Sequence, residues 1–289
     1  MKAHPLPFLG LPAEQSDLET AKVVVVPYGY EGGVSYGKGA GAAPQAILEA
    51  SQYIELYDEV LDEEPFRIGI ATIDVPTIPD EPPRMLDMLE SVTSELLDQG
   101  KFVALVGGDH SITTGYVRAL ARQNDRFGVL QLDAHADLRD SYEDSPLSHA
   151  CVMARIRELT PHTLQVGIRS MSAEEARLVK DDSLALCTMH HFRKGAFNLE
   201  TALARLPQRL FITVDVDVFD WSVIASTGTP EPGGMLWDEA MDLLEAVFRT
   251  KEIIGFDVVE LAHRDSDPNS TFATAKLIYK MIGMRFASR

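Results

Sequence analysis

Cysteine is scarce. The chain has two, Cys151 and Cys187, with no CxxC pair. That excludes a disulfide framework and points to a reducing, cytoplasmic setting. No stretch approaches the roughly 20 apolar residues of a membrane helix. The first residues, Met1-Lys2-Ala3-His4-Pro5-Leu6-Pro7, are broken by proline and do not read as a signal peptide. Positive charge is also short: 26 Lys and Arg face 44 Asp and Glu, a formal net charge of −18. Such a balance argues against nucleic acid or an anionic membrane as partner. The glycine-rich stretch 32–41 lacks the G-K-[ST] ending of a phosphate loop, so it reads as a mobile or tightly turned loop. Linkers, repeats and low-complexity segments are missing too.

What is present is an ordinary apolar fraction, 45%, spread over 289 residues. The chain is long enough for a substantial core. Eight apolar, β-branched runs recur, at 22–26, 67–71, 102–106, 127–132, 163–166, 184–187, 210–214 and 253–259. Several are continuous rather than alternating, as in parallel strands buried on both faces. Helical patterns lie between them, at 44–51, 84–99, 111–122, 150–159, 173–180, 199–205, 237–250 and 271–289. The alternation predicts one α/β domain over residues 1–289, with helices on both faces of a mostly parallel sheet. The segment 227–234, rich in Gly and Pro, reads as a rigid surface loop before a helix.

The chemistry concentrates where apolar runs end. After 127–132 come Asp133, His135 and Asp137, three metal-ligand types at every second position. Period-two spacing puts them on one face, and in a turn past the strand end it lets them converge. Carboxylate with imidazole suits manganese or zinc better than calcium. Three further runs end likewise, in Gly107-Gly108-Asp109-His110-Ser111, in Asp215-Val216-Asp217 and in Phe256-Asp257-Val258-Val259-Glu260. Acids closing a buried strand are costly unless paired or metal-bound. Ligand sites in open α/β sheets gather at the carboxyl ends of strands. His110, Asp133, His135, Asp137, Asp215 and Asp217 exceed one metal's needs and suit a pair of ions about 3.5–4 Å apart.

GGDHS at 107–111, DAHAD at 133–137 and DVDVFD at 215–220 resemble, in order and spacing, the signature motifs of the ureohydrolases, the arginase and agmatinase family. SYGKGAGAAPQAIL at 35–48 and TGTPEPGG at 227–234 are most similar to the agmatinase-like branch. The resemblance implies a three-layer α/β/α sandwich around an eight-stranded, mostly parallel sheet. It implies two Mn2+ per subunit and hydrolysis of a guanidinium to urea and an amine. His110, Asp133, Asp137 and Asp215 would hold one ion. Asp133, His135, Asp215 and Asp217 would hold the other, with Asp133 and Asp215 bridging. His149 matches the family's proton-transfer histidine; without the resemblance it reads as a surface-loop histidine. Glu260 matches the guanidinium-binding glutamate; by itself it reads as a strand-end salt bridge. Asp137 or His149 would protonate the leaving amine. A homo-trimer or homo-hexamer in polyamine biosynthesis is implied as well.

Two departures stand beside the ligands: Trp221 where the family has Pro, and Ala225-Ser226 where it has Pro-Gly. They bear on the substrate more than on hydrolysis. The loop 138–147 carries three acids against Arg139. Its acidity, with Asp140 next to Arg139, favours a substrate with a distal amine such as agmatine. Arg139 keeps a carboxylate-bearing substrate open, guanidinobutyrate or formiminoglutamate, with arginine ranked lower. Other readings are a non-catalytic metal-binding relative, which predicts a lost ligand or a lost Glu260, and a one-zinc deacetylase of related fold. All the ligand positions and Glu260 are present.

Overall fold

A computed structural model describes residues 1–124 and 126–287. Its frame is a nine-stranded sheet: β1 (Lys2–Ala3), β2 (Val23–Tyr28), β3 (Ile70–Asp74), β4 (Phe102–Gly107), β5 (Gly128–Leu132), β6 (Thr163–Ile168), β7 (Leu186–Thr188), β8 (Arg209–Asp215) and β9 (Glu252–Val259). Their spatial order is β1-β3-β2-β4-β9-β8-β5-β6-β7. Every pairing is parallel except β1 with β3. The sheet is therefore the expected eight parallel strands plus a two-residue antiparallel edge, too short to leave a periodicity in the sequence.

The continuous apolar runs are explained by alternation onto two buried faces. Val23, Val25, Ala104, Val106, Leu130, Ile212 and Val214 pack on one side, with residues of the helices Ala43–Ser51, Trp237–Thr250 and Pro268–Phe286. Val24, Val26, Val103, Leu105, Val129 and Phe211 pack on the other, with residues of Pro82–Asp98, Thr113–Gln123 and Val152–Leu159. This is the three-layer α/β/α arrangement.

Several boundaries shift for local reasons. The run at 67–71 becomes a strand only from Ile70, because Pro65–Ile68 coil as a 3-10 turn and Gly69 turns the chain at φ 80°. The helix expected at 111–122 starts at Thr113, after a 3-10 turn His110–Ile112 whose N-cap is Asp109. The last helix begins earlier than the periodicity indicates, at Pro268, where Asp267 accepts from the Ser270 amide. The part of that expected helix at 288–289 lies outside the described residues. Two short helices, Ala13–Ser16 and Met189–Arg193, were not expected.

What positions the site is the order at the sheet's centre. β4, β9, β8 and β5 lie side by side. Their carboxyl ends are Gly107, Val259, Asp215 and Leu132, so the four ligand-bearing stretches open onto one edge. Gly108 permits the closest approach there. A Cβ on it would meet the Tyr30 carbonyl oxygen at 2.1 Å, and the Glu260 amide donates to its own carbonyl at 2.9 Å. Gly108→Ala should therefore cost about 1–3 kcal/mol, read as a lowered urea midpoint. It should also displace His110 enough to weaken metal uptake.

Candidate metal centre and active-site cleft

His110 leaves β4 on the 3-10 turn and points its Nδ1 at three carboxylates. Asp137 Oδ2 is 3.1 Å away, Asp133 Oδ2 3.2 Å and Asp215 Oδ2 3.5 Å. His135 points its Nδ1 at Asp217 Oδ2, 2.8 Å away, and lies 3.6 Å from Asp133 Oδ1. The two oxygens of Asp133 thus face two separate groups, each within reach of one ion: His110 with Asp133 and Asp137, and Asp133 with His135 and Asp217. Backbone geometry holds the carboxylates in place. His135 N donates to Asp133 Oδ1 at 2.6 Å, Ala134 N to Asp217 Oδ1 at 2.9 Å, and Asp217 N to Asp215 Oδ1 at 2.9 Å. Asp137 is held in the left-handed region, at φ 51°. Such a non-glycine residue persists where its surroundings over-determine it.

Burial makes this cluster electrostatically expensive. Asp137 is pushed up to about 7 by burial and by the Asp133 charge. Burial, with Asp217 and Asp133 nearby, drives Asp215 well above the ordinary range, and burial with the Asp133 charge raises Asp217. His110 moves the opposite way from a simple buried imidazole: burial lowers it, but the bonds to Asp133 and Asp137 outweigh that. His135 likewise rises to about 12, burial being overcome by Asp217 and Asp133. Protons here neutralise carboxylates that a divalent cation could neutralise instead. Two buried atoms, His110 Nδ1 and Asp217 Oδ2, face into the two groups at ion-pair distance but with no partner at full hydrogen-bond geometry among the described residues. Carboxylate, imidazole and orphaned donor atoms together fit a pair of metal ions.

Above the centre lies a cleft lined by Ser35, Tyr142, His149, Ser172, Glu175 and Thr229 among others. Glu260, at φ 66°, accepts from the His110 amide at 2.6 Å, and its Oε1 is 3.8 Å from His149 Nδ1. His149 is lowered to about 4 by burial and by the His110 and His135 charges, so its ring is neutral near neutral pH. Arg139 lines the cleft with its guanidinium over the Tyr142 ring at 5.2 Å and 3.9 Å from Glu175. Asp140 is placed elsewhere: its side chain is 96% exposed, bonded to Arg155 on the outer surface.

The glycine-rich segment is held down rather than mobile. Gly33 N donates to Asp109 Oδ2 at 2.7 Å, Gly37 N to the Gly228 carbonyl at 3.0 Å, and Gly39 N to Glu31. The 227–234 segment is not only a surface loop. Thr227 is buried, and Arg169 ties the stretch down by donating to the carbonyls of Glu231 and Pro232 and also of Asp217. Sequence reasoning missed Arg169, Glu175 and Tyr142. Only Glu175 left a local mark, as the fourth residue of a Ser172-x-x-Glu175 capping box.

Residues 21–283 match the arginase family. N(1)-aminopropylagmatine ureohydrolase of Synechocystis sp. is 40% identical over 273 residues, covering 91% of this chain and 89% of that protein. Agmatinase of Pyrococcus horikoshii is 30% identical over 275 residues, 93% of each. The crystal structure of agmatine ureohydrolase of Thermoplasma volcanium superposes with a TM-score of 0.85 at 29% identity, over 93% of this chain and 92% of that one. The chain belongs to the arginase family. Within it, the chain is an agmatinase-like ureohydrolase, a hydrolase of linear amidines. No helix among the described residues is long and apolar enough to cross a membrane.

The pKa directions set a pH dependence. His110 and His135 are raised above an ordinary 6.5, so their contribution is full below that value and is lost as pH rises toward the folded value. Asp137, raised from 3.8 to about 7, acts in the same sense between those two values and adds no further slope above about 7. His149, lowered from 6.5 to about 4, acts oppositely but only below 6.5. Chelator-treated protein should therefore lose thermal stability as pH rises from about 7 to 9, by roughly 1 kcal/mol per pH unit for each proton held. Added Mn2+ should restore more at the higher pH. A melting temperature flat across that range would contradict this electrostatic picture.

Proposed function

We propose that this protein uses two Mn2+ ions to hydrolyse the guanidinium of a substrate with a distal amine to urea and an amine. The carrying observation is Asp133, whose two oxygens face the two ligand groups beneath Glu260 and His149. His110, Asp133, Asp137 and Asp215 would hold one ion; Asp133, His135, Asp215 and Asp217 would hold the other. Bound there, the ions would supply acidified water and an electrostatic clamp for the reacting centre.

The remaining chemistry falls to the protein's own side chains. The Glu260 carboxylate, fixed by the His110 amide, pairs with the planar cation and orients its carbon toward the cluster. The neutral His149 ring accepts a proton released during attack and returns it to the departing amine. Asp137, beside His110, is the alternative carrier.

For the distal end, Arg139 is engaged by Tyr142 and Glu175. Its charge in the cleft is offset by the Glu175 carboxylate, which supports an amine-bearing tail. Agmatine and N(1)-aminopropylagmatine both fit that description. The greater identity to the Synechocystis relative than to the Pyrococcus one supports the longer compound as the better substrate. By family likeness we also propose a homo-trimer or homo-hexamer, active in the cytoplasm in polyamine biosynthesis.

Urea release by Mn2+-loaded protein tests this across N(1)-aminopropylagmatine, agmatine, guanidinobutyrate and arginine. The aminopropyl compound should give the highest kcat/KM, with agmatine next. Turnover of guanidinobutyrate alone would overturn the amine-tail reading. Glu260→Gln should lower kcat/KM about 10- to 100-fold. His149→Ala should lower kcat about 100-fold or more with KM little changed.

A further inference from the structure

Directly beneath the ligands runs a row of polar side chains that the signature motifs leave unassigned. Gln165 on β6, Gln131 on β5, Thr213 on β8 and Asp257 on β9 stand opposite one another in register across adjacent strands. None is more than 1% exposed. Their neighbours on the same face are apolar, among them Leu105, Val129, Phe211 and Val259. Polar groups in such a layer are costly unless each finds a partner.

The partners lead upward to the metal centre. Gln165 Nε2 donates to Gln131 Oε1 and, at 2.7 Å, to the Ala136 carbonyl. Gln131 Nε2 donates to Asp133 Oδ2 at 2.6 Å. Thr213 Oγ1 lies 2.9 Å from His110 Nε2. The Asp257 carboxylate faces the Thr213 and Thr113 hydroxyls, and neither of its oxygens has a partner at full hydrogen-bond geometry among the described residues. Asp257 is thus an acceptor beside a hydroxyl that touches His110.

The consequence is a tautomer. His110 turns Nδ1 toward the carboxylates and Nε2 toward Thr213. A ligating ring nitrogen must carry a lone pair, so the ring proton must sit on Nε2. Nε2–H then donates to Thr213 Oγ1, and the Thr213 hydroxyl proton is directed to Asp257. We propose that Thr213, backed by Asp257, is a positioning residue that holds His110 in its Nε2-protonated tautomer and so sets the ion affinity of the His110 half of the centre. This rests on the binuclear metal reading above.

The test compares Thr213→Val, which keeps the shape and deletes the hydroxyl, with Thr213→Ser, which keeps the hydroxyl. Full-length chelator-treated protein is titrated with Mn2+ by calorimetry, and the same samples are followed by electron paramagnetic resonance. Thr213→Ser should bind two ions as the unaltered protein does. Thr213→Val should bind one of the two about 10- to 100-fold more weakly. At two equivalents its spectrum should shift from a spin-coupled pair toward isolated Mn2+. Melting of the chelated variants reports whether both are folded. Unchanged Mn2+ affinity in Thr213→Val overturns the relay, and so does an equal loss in Thr213→Ser. Fewer than two ions on the unaltered protein would instead overturn the proposed function itself.

Discussion

Four carboxylates, Asp133, Asp137, Asp215 and Asp217, are buried together at the ends of two strands, and their mutual repulsion has to be neutralised. Everything around them answers that constraint. Two imidazoles enter the cluster through their Nδ1 atoms. Backbone amides of the turns donate to the carboxylates at 2.6 to 2.9 Å. Acids at these depths are retained at a cost in stability, and two divalent cations are the counter-charge that the donor set fits.

The sheet makes this clustering possible because its strand order is not its chain order. β4 and β9 are neighbours although about 150 residues separate them, as the His110–Glu260 bond illustrates. Parallel pairing aligns the carboxyl ends of β2 to β9 on one edge, and the crossover helices shield both faces. The loops there are pinned rather than free. Asp109 holds the Gly33 amide, and Arg169 binds carbonyls of both the Asp217 turn and the 230s loop. A rigid surround suits a reaction in which a planar cation must meet a nucleophile at a fixed angle.

The electrostatics also divide the labour among three histidines that look alike in a sequence. His110 and His135 sit against carboxylates and are raised, whereas His149 is buried near the His110 and His135 charges and is lowered to about 4. The first pair is placed to donate lone pairs within a negative cluster. The third is a neutral ring at the cleft wall, suited to carrying a proton. Arg139 shows the same dependence on neighbours: its cation is turned toward Tyr142 and Glu175.

The parallel strands, the long helices and the ligand-bearing stretches were legible in the chain alone, because each is written in local spacing. Continuous apolar runs mark strands buried on both faces, and D-x-H-x-D after such a run marks converging ligands. The edge strand Lys2–Ala3 and the turn that delays β3 to Ile70 were not legible, being too short or set by one glycine's φ. Which oxygen of Asp133 faces which group and the row from Gln165 to Asp257 depend on strands far apart in sequence coming side by side, and the outward position of Asp140 depends on the loop's packing against Arg155. Sequence by itself marked the candidate ligands, because their types and spacing are local. Tertiary structure alone decided their partners, because a side chain's charge and tautomer are set by what folding brings within 3 or 4 Å of it.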